Sequence, residues 1–286
     1  MLPRPLHPSD RRSFLLFGPR ATGKSTFLHT YFADTPTLWI DLLVAEQEDR
    51  YARRPDALAE QLAAADPAPQ WVIIDEIQKV PKLLDVVHHL IEREDTHFAL
   101  TGSNARRLKR GTANLLAGRA FVHHLHPFTC TELGSAFDLD TVLAYGSLAG
   151  QHDLEAVDDK RSYLSAYALT YLKEEVWAEH AVRKLDPFRA FLEVAAQLNG
   201  EILNFARISR DVGVDRKTVR AYFQVLEDTL LGFMLEPFHR SVRKRQVHAP
   251  RFYFFDTGVK RALERMLTVE LREGTYAYGR AFEHLV

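Results

Sequence analysis

A single cysteine, Cys130, stands in 286 residues. One thiol excludes an intrachain disulfide and a cysteine-based zinc site, and such usage fits a reducing compartment. No apolar run approaches the roughly 20 residues that a membrane-spanning helix needs. The stretch from Met1 to Arg12 is rich in proline, arginine and histidine and lacks the apolar centre of a signal peptide. These absences give a cytoplasmic protein with no membrane partner as the expectation. Charge of one sign is missing too. Lys and Arg total 37 against 38 Asp and Glu, for a net charge of −1. The chain is therefore no polycation, and any nucleic-acid contact must come from a local basic patch. Internal repeats and low-complexity tracts are absent, which excludes solenoids and disordered tails. What is present is ordinary: 46% hydrophobic and 26% charged residues, enough for one large domain or two modest ones.

The first half alternates buried-strand runs with helical patterns. Ser13–Phe17, Thr37–Leu43, Trp71–Ile74, His97–Thr101 and Ala120–Leu125 read as strands. Helices are expected over Lys24–Tyr31, Pro55–Ala65 and Lys82–Glu92. Near-continuous apolar strands separated by helices predict an α/β fold, a five-stranded parallel sheet with helices on both faces. The pattern changes near Cys130. From Asp158 to Leu198 the chain reads as helical, with Asp186-Pro187 as a second start signal and Asn199-Gly200 as the stop. The expected division is 1–150 and 151–286.

Between the first strand and the first helix lies GPRATGKST: Gly18, Pro19, Arg20, Ala21, Thr22, Gly23, Lys24, Ser25 and Thr26. It fills every position of G-x-x-x-x-G-K-[ST] in a strand–loop–helix context. Such a loop turns backbone N–H groups and a helix N-terminus toward a phosphate chain, which points to ATP or ADP as ligand. Lys24 is expected on the β- and γ-phosphates and the Ser25 hydroxyl on Mg²⁺. VIIDEI ends a buried strand in two acids. A carboxylate at the tip of a strand beside the loop strand, Asp75, would hold the Mg²⁺ water shell, and Glu76 would polarise the attacking water. The strand HFALT runs into GSN, where Ser103 or Asn104 is expected to orient that water; an ordinary strand-to-helix cap is the plainer reading. Arg119, just before the fifth strand, is either a surface cation or an arginine finger for a neighbouring copy. His123, His124 and His126 do not make a metal site, because adjacent strand residues face opposite sides.

GPRATGKST, WVIIDEIQKVP, FALTGSN, GRA and HPFTCTEL resemble prokaryotic AAA+-type ATPases with an N-terminal AAA domain and a C-terminal region of unknown function. In the second half YLKEEVW, LNGEILNFARISRDVGVDRKTVRAYFQVLE, LEPFHRSVRKR and RFYFFDTG extend the resemblance over essentially the whole chain. The resemblance implies ATP binding and hydrolysis with Mg²⁺ through Lys24, Ser25, Asp75 and Glu76, a first sensor at Asn104 or Ser103, and Arg119 acting in trans. An oligomer follows, with a hexameric ring as one form. Chains of this family usually run on into a nuclease-like fold. Here Tyr278–His284 is followed by only Leu285 and Val286, and no nuclease activity is expected.

Phe205–Val212, a turn at Gly213–Asp215 and Arg216–Asp228 read as helix-turn-helix. Strands Leu231–Leu235 and Arg251–Phe255 follow, joined through HRSVRKRQVH, which makes the second half a mostly helical domain carrying a winged helix. From Phe205 to Phe255 ten basic residues stand against five acidic ones. Arg216, Lys217 and Arg220 on the second helix, with Arg243, Lys244 and Arg245 on the wing, are the candidate DNA contacts. Two functions remain open from the residues: an ATP-driven motor or switch acting on DNA, with branch migration as one form, and a signalling or defence switch whose winged helix docks a protein.

Overall fold

The computed structural model describes residues 2–93, 96–104, 116, 118–171, 185–238 and 249–286. They divide into two compact units, Met1–His126 and Pro127–Val286. In the first, β1 (Phe14–Phe17) leads through the Gly-rich loop into α1 (Lys24–Tyr31). Then come β2 (Thr37–Asp41), α2 (Ala45–Arg53), α3 (Ala57–Ala63) and β3 (Trp71–Asp75). α4 (Leu83–Arg93), β4 (His97–Gly102) and β5 (Phe121–His124) complete the unit. The sheet is five-stranded and wholly parallel, in the order β2-β3-β4-β1-β5.

The strands that read as continuous apolar runs occupy the middle. Every residue of β1 and β3 is buried, and β4 is exposed only at its start. The edge strand β5 instead shows Phe121 and Val122 to solvent. Phe14, Leu16, Trp71, Ile73 and Ala99 project from three neighbouring strands onto Phe27, Leu28 and Phe32 of and beyond α1. Phe32 packs against Trp71 at 4.9 Å and Phe14 stacks on Phe32 at 6.4 Å. Each buried aromatic ring contributes about 2–3 kcal/mol, so this cluster anchors the helix that carries the phosphate loop.

The strand order corrects one expectation. β3 is not beside β1; β4 lies between them, pairing Leu16 with Thr101 on one side and Ile73 with Ala99 on the other. Order along the chain does not fix order in a parallel sheet, because each connection is a crossover that can skip a position. The structure also holds α2, where the sequence reading placed no element, and β2 stops at Asp41 instead of Leu43.

The second unit opens with α5 (Cys130–Leu133), held by a Thr129–Glu132 capping box, and α6 (Leu139–Tyr145). α7 (Val157–Ala166) runs into a π-turn at Tyr167–Tyr171. Residues 172–184, within the long stretch read as helical, lie outside the described residues. α8 (Leu185–Gln197) follows and stops at Asn199-Gly200. Then come α9 (Phe205–Val212), capped by Asn204, and α10 (Arg216–Asp228), capped by Asp215. Gly213, left-handed at φ 74°, turns the chain between them. β6 (Gly232–Leu235) and β7 (Arg251–Phe254) pair antiparallel. Phe191, Phe223 and Phe252 form the core of this part, with ring centres 4.8 and 5.1 Å apart. α11 (Thr257–Leu263) and α12 (Tyr276–Leu285) close the chain. Among the described residues no helix is long and apolar enough to cross a membrane.

α6 and α11 meet with almost no space between their backbones. A Cβ on Gly258 would lie 1.9 Å from the Tyr145 carbonyl oxygen. Asp256 fixes this contact by accepting from Ser147 N and Val259 N at 2.9 Å each. Its complete burial pushes the carboxyl up to about 6, against the hydrogen bonds that favour its charge. His284, with a ring nitrogen 2.6 Å from the Phe254 carbonyl oxygen, moves the other way. Burial, helped by Lys260 and Arg280, pushes it down to about 4.

The signs oppose. Asp256 has a raised folded pKa, so its contribution to stability is complete below its ordinary 3.8 and is lost as pH rises toward 6. His284 has a lowered one, so its contribution is complete above 6.5 and is lost as pH falls toward 4. Between pH 4 and 6.5 the two largely cancel. Asp256→Asn removes one arm: relative to wild type, its stability should climb with pH across this window. His284→Phe should decline instead. The full span is at most about 3 kcal/mol, and less for the part of the imidazole that water reaches. Urea unfolding at stepped pH measures it, and parallel stability–pH curves for wild type and both variants would refute it.

Candidate active site

The loop between β1 and α1 is shaped by what crowds it. Gly18 N donates to Gly102 O at 3.2 Å, and a Cβ on Gly18 would lie 2.2 Å from the Leu125 carbonyl oxygen. Only glycine fits between β4 and the chain leaving β5. Ala21 and Gly23 are left-handed, at φ 60° and 87°, which turns successive N–H groups toward one concavity. Thr22 Oγ1 ties the loop across itself to Pro19 O at 2.8 Å. Lys24 is buried, and its Nζ donates to Gly18 O and Pro19 O at 2.9 and 3.0 Å. Arg20 is half-buried and Thr26 exposed at the start of the helix.

The metal-side residues meet across the sheet. Ser25 Oγ donates to Asp75 Oδ2 at 2.5 Å. The hydroxyl of Thr101, on the intervening strand β4, donates to the other carboxylate oxygen of Asp75 and accepts from Glu76 N at 2.9 Å. A hydroxyl and a carboxylate side by side are hard oxygen donors of the kind Mg²⁺ takes, so these residues fit that ion.

Glu76 is buried and left-handed at φ 59°, an unusual backbone for a side chain of its size. Ser103 Oγ donates to Glu76 Oε2 at 2.9 Å. The structure thus joins Ser103 to Glu76, and Asn104 is buried next along the chain. Gln78, which the sequence reading left aside, also reaches this group: its Nε2 donates to Glu76 Oε2 and, at 3.0 Å, to Ser103 Oγ. A second residue missed from the sequence is Arg4. It donates to Thr22 O at 2.6 Å and His126 O at 3.2 Å, tying the N-terminal segment to the phosphate loop. Nothing local in a Pro-, Arg- and His-rich stretch signals that contact.

Arg119 lies elsewhere. It precedes β5, at the opposite end of the parallel strands from the loop, and donates to Glu92 Oε1 through Nε at 3.1 Å and Nη2 at 2.5 Å. That bond to Arg119 holds the Glu92 carboxyl below the usual range. His123 packs edge-on to Phe14 while His124 stacks with His126. Among the described residues no three His, Cys, Asp or Glu side chains are grouped to hold a metal. In the second unit Arg216, Lys217 and Arg220 are exposed on α10, with the Arg220 guanidinium 4.8 Å from the Phe205 ring centre. Arg243, Lys244 and Arg245 lie outside the described residues.

Residues 10–134 match the family described as an AAA domain. That stretch of the chain is an AAA domain with an intact phosphate-binding loop. Residues 136–270 match a second family, described as Domain of unknown function (DUF8612). The uncharacterized proteins Rv2008c of Mycobacterium tuberculosis and Mb2031c of Mycobacterium bovis are each 28% identical over 261 residues. An uncharacterized protein of Haemophilus influenzae is 22% identical over 206 residues, which are 67% of this chain and 52% of that protein. The chain is matched over 90% of its length by the mycobacterial relatives, but spans only 56% of theirs. Among solved structures, the Aeropyrum pernix ORC1 protein in complex with DNA aligns over 90% of this chain and 87% of its own. Its TM-score is 0.34 and its identity 13%, too distant to bear on function.

Thr101 makes the tightest local test. Thr101→Val keeps the shape but leaves the buried Glu76 N–H without its acceptor and Asp75 Oδ1 without its donor. It should destabilise the protein by about 1–3 kcal/mol. Thr101→Ser, which keeps the hydroxyl, should cost about 1 kcal/mol for the lost methyl group. Equal stability of the two variants in urea unfolding would remove Thr101 as the bridge.

Proposed function

We propose that this chain is an Mg²⁺-dependent ATPase that couples hydrolysis to binding or remodelling of DNA. The observation that carries the reading is the 2.5 Å contact of Ser25 with Asp75, with a second buried acid, Glu76, next in the chain. A nucleotide store needs the loop and the first acid only. In this reading the loop N–H groups and Lys24 hold the phosphates of ATP, while Ser25 and Asp75 hold the ion. Mg²⁺, when bound, neutralises charge on the phosphate oxygens. Water attacks the terminal phosphorus, its proton passes to Glu76, and the bond to the bridging oxygen of ADP breaks. Ser103, with Asn104 beside it, orients the water and its acceptor. Arg119, at the other end of the parallel strands from its own loop, would act in trans in a homo-oligomer, a hexameric ring included. A cytoplasmic location fits the single thiol.

The DNA part of the proposal rests on the second unit. Two capped helices followed by an antiparallel strand pair have the element order of a winged helix, and Arg216, Lys217 and Arg220 are exposed on the second of them. The competing reading is a nucleotide-controlled signalling or defence switch in which this surface docks a protein. ATPase turnover with and without single-stranded, duplex and branched DNA, with mass measured on the same sample, separates the two.

Within that assay, Lys24→Ala should weaken nucleotide binding. Glu76→Gln should keep ATP bound and lose turnover by about 10² or more, the range of a general base. Wild-type turnover in Glu76→Gln would remove Glu76 as the base. The wing has its own test. Arg243→Gln, Lys244→Gln and Arg245→Gln together should leave fold and basal ATPase intact. Each lost phosphate contact should flatten the log–log salt dependence of DNA binding by about 0.9. An unchanged affinity and slope would favour the protein-docking switch.

A further inference from the structure

The turn after Asp75 is built around one carboxylate oxygen. Glu76 takes the left-handed conformation, and Ile77–Lys79 then form a single 3-10 turn closed by Lys79 N donating to Glu76 O at 3.0 Å. This turn folds the Gln78 side chain back under Glu76. Both protons of the Gln78 amide have acceptors: one bonds Glu76 Oε2, the other Ser103 Oγ. Ser103 passes its own proton to the same Glu76 Oε2. The three hydrogen bonds close a triangle among Gln78 Nε2, Ser103 Oγ and Glu76 Oε2, two of them ending on that carboxylate oxygen. Among the described residues Glu76 Oε1 has no donor.

The triangle leaves a mark on Gln78. Its carbonyl oxygen, Oε1, is buried and has no hydrogen-bond partner among the described residues. It lies where a side chain on Gly102 would begin, 3.0 Å from that Cβ position. A flipped amide would place this oxygen against a carboxylate, so the orientation is fixed by charge. An amide that leaves its acceptor unpaired in a buried site is a poor choice for packing alone, since an apolar chain of that length would leave nothing unpaired.

We propose that Gln78 is a positioning residue for hydrolysis. With Ser103 it pins Glu76 by Oε2, so that Oε1 is the atom presented to water. The inference deepens the ATPase reading and rests on it. It also assigns Ser103 a task beyond facing the phosphate, as the second pin on the same oxygen.

Gln78→Met keeps the length of the side chain and removes both the donors and the orphan acceptor. Three quantities are read on the full chain: stability of the nucleotide-free protein in urea, ADP affinity by calorimetry, and ATP turnover. Stability should be unchanged or raised, because no unpaired carbonyl remains. ADP affinity should stay within about twofold, because among the described residues Gln78 bonds Glu76 and Ser103 and not the phosphate loop. Turnover should fall at least tenfold, about 1.4 kcal/mol, in kcat and not in KM. Gln78→Leu, which also withdraws both donors and adds no charge beside Glu76, reads the same loss if the Met variant does not fold. Lower stability together with lower ADP affinity would make Gln78 a structural residue and overturn the proposal. So would wild-type turnover in both variants. A wild-type chain that binds ADP but never hydrolyses ATP would sink the ATPase reading itself, and with it this role.

Discussion

One strand sets the chemistry of the first unit. β4 lies between β1, which carries the phosphate loop, and β3, which carries the acids. Neighbouring strands are about 4.8 Å apart, so the loop and the acids are roughly twice that distance apart and do not touch through their backbones. The gap is closed from two directions. Ser25 reaches over from the first turn of α1 to Asp75, and Thr101 rises from β4 to hold Asp75 and the Glu76 amide together. A β1–β3 pairing would leave no place for Thr101 or for Ser103 above it. The polar end of β4 exists in this position because the strand is interposed.

Interposition also explains how so much polarity is buried with only the Gln78 carbonyl oxygen left unpaired among these described side chains. Thr22, Lys24, Asp75, Glu76, Gln78, Thr101 and Ser103 are all buried at the same end of an otherwise apolar sheet. Burying such groups singly costs several kcal/mol each. Here they satisfy one another in order: loop carbonyls accept from Lys24, Asp75 accepts from Ser25 and Thr101, and Glu76 accepts from Ser103 and Gln78. A network of that kind has few alternative arrangements, so it fixes geometry as well as contributing energy.

The sequence made the loop, its helix, the five strands and both acids readable, since each rests on local signals: a glycine spacing, an apolar run, an acid at its end. Phe14–Phe17 and Trp71–Asp75 are buried throughout because they are internal strands, and their runs say so. Strand order was not readable, because β4 comes late in the chain and inserts between earlier strands. Gln78 was hidden for a related reason. It becomes a neighbour of Glu76 only through a left-handed residue that no propensity favours. Arg4 and the Arg119–Glu92 pair are long-range contacts, 18 to 122 residues apart in the chain. In the second unit the turn at Gly213–Asp215 marked the start of α10, whereas α6 and α11 are short and gain their definition from Asp256, more than 100 residues from Ser147.

The contrast between the two buried acids of the first unit is informative about activity. Asp75 accepts on both oxygens, from Ser25 and from Thr101. Such a carboxylate is held at both ends and suits a fixed charge beside an ion. Glu76 accepts on one oxygen only, from two donors. That leaves the other oxygen as a directed acceptor, which is the requirement for taking a proton from a bound water. Two adjacent residues of similar chemistry are thus given unlike environments: a tethered ligand and an acceptor with one open site. A protein that merely sensed nucleotide would need the first alone. In the proposed ATPase the second, with its left-handed backbone and its dedicated amide, would be the group that takes the proton from water.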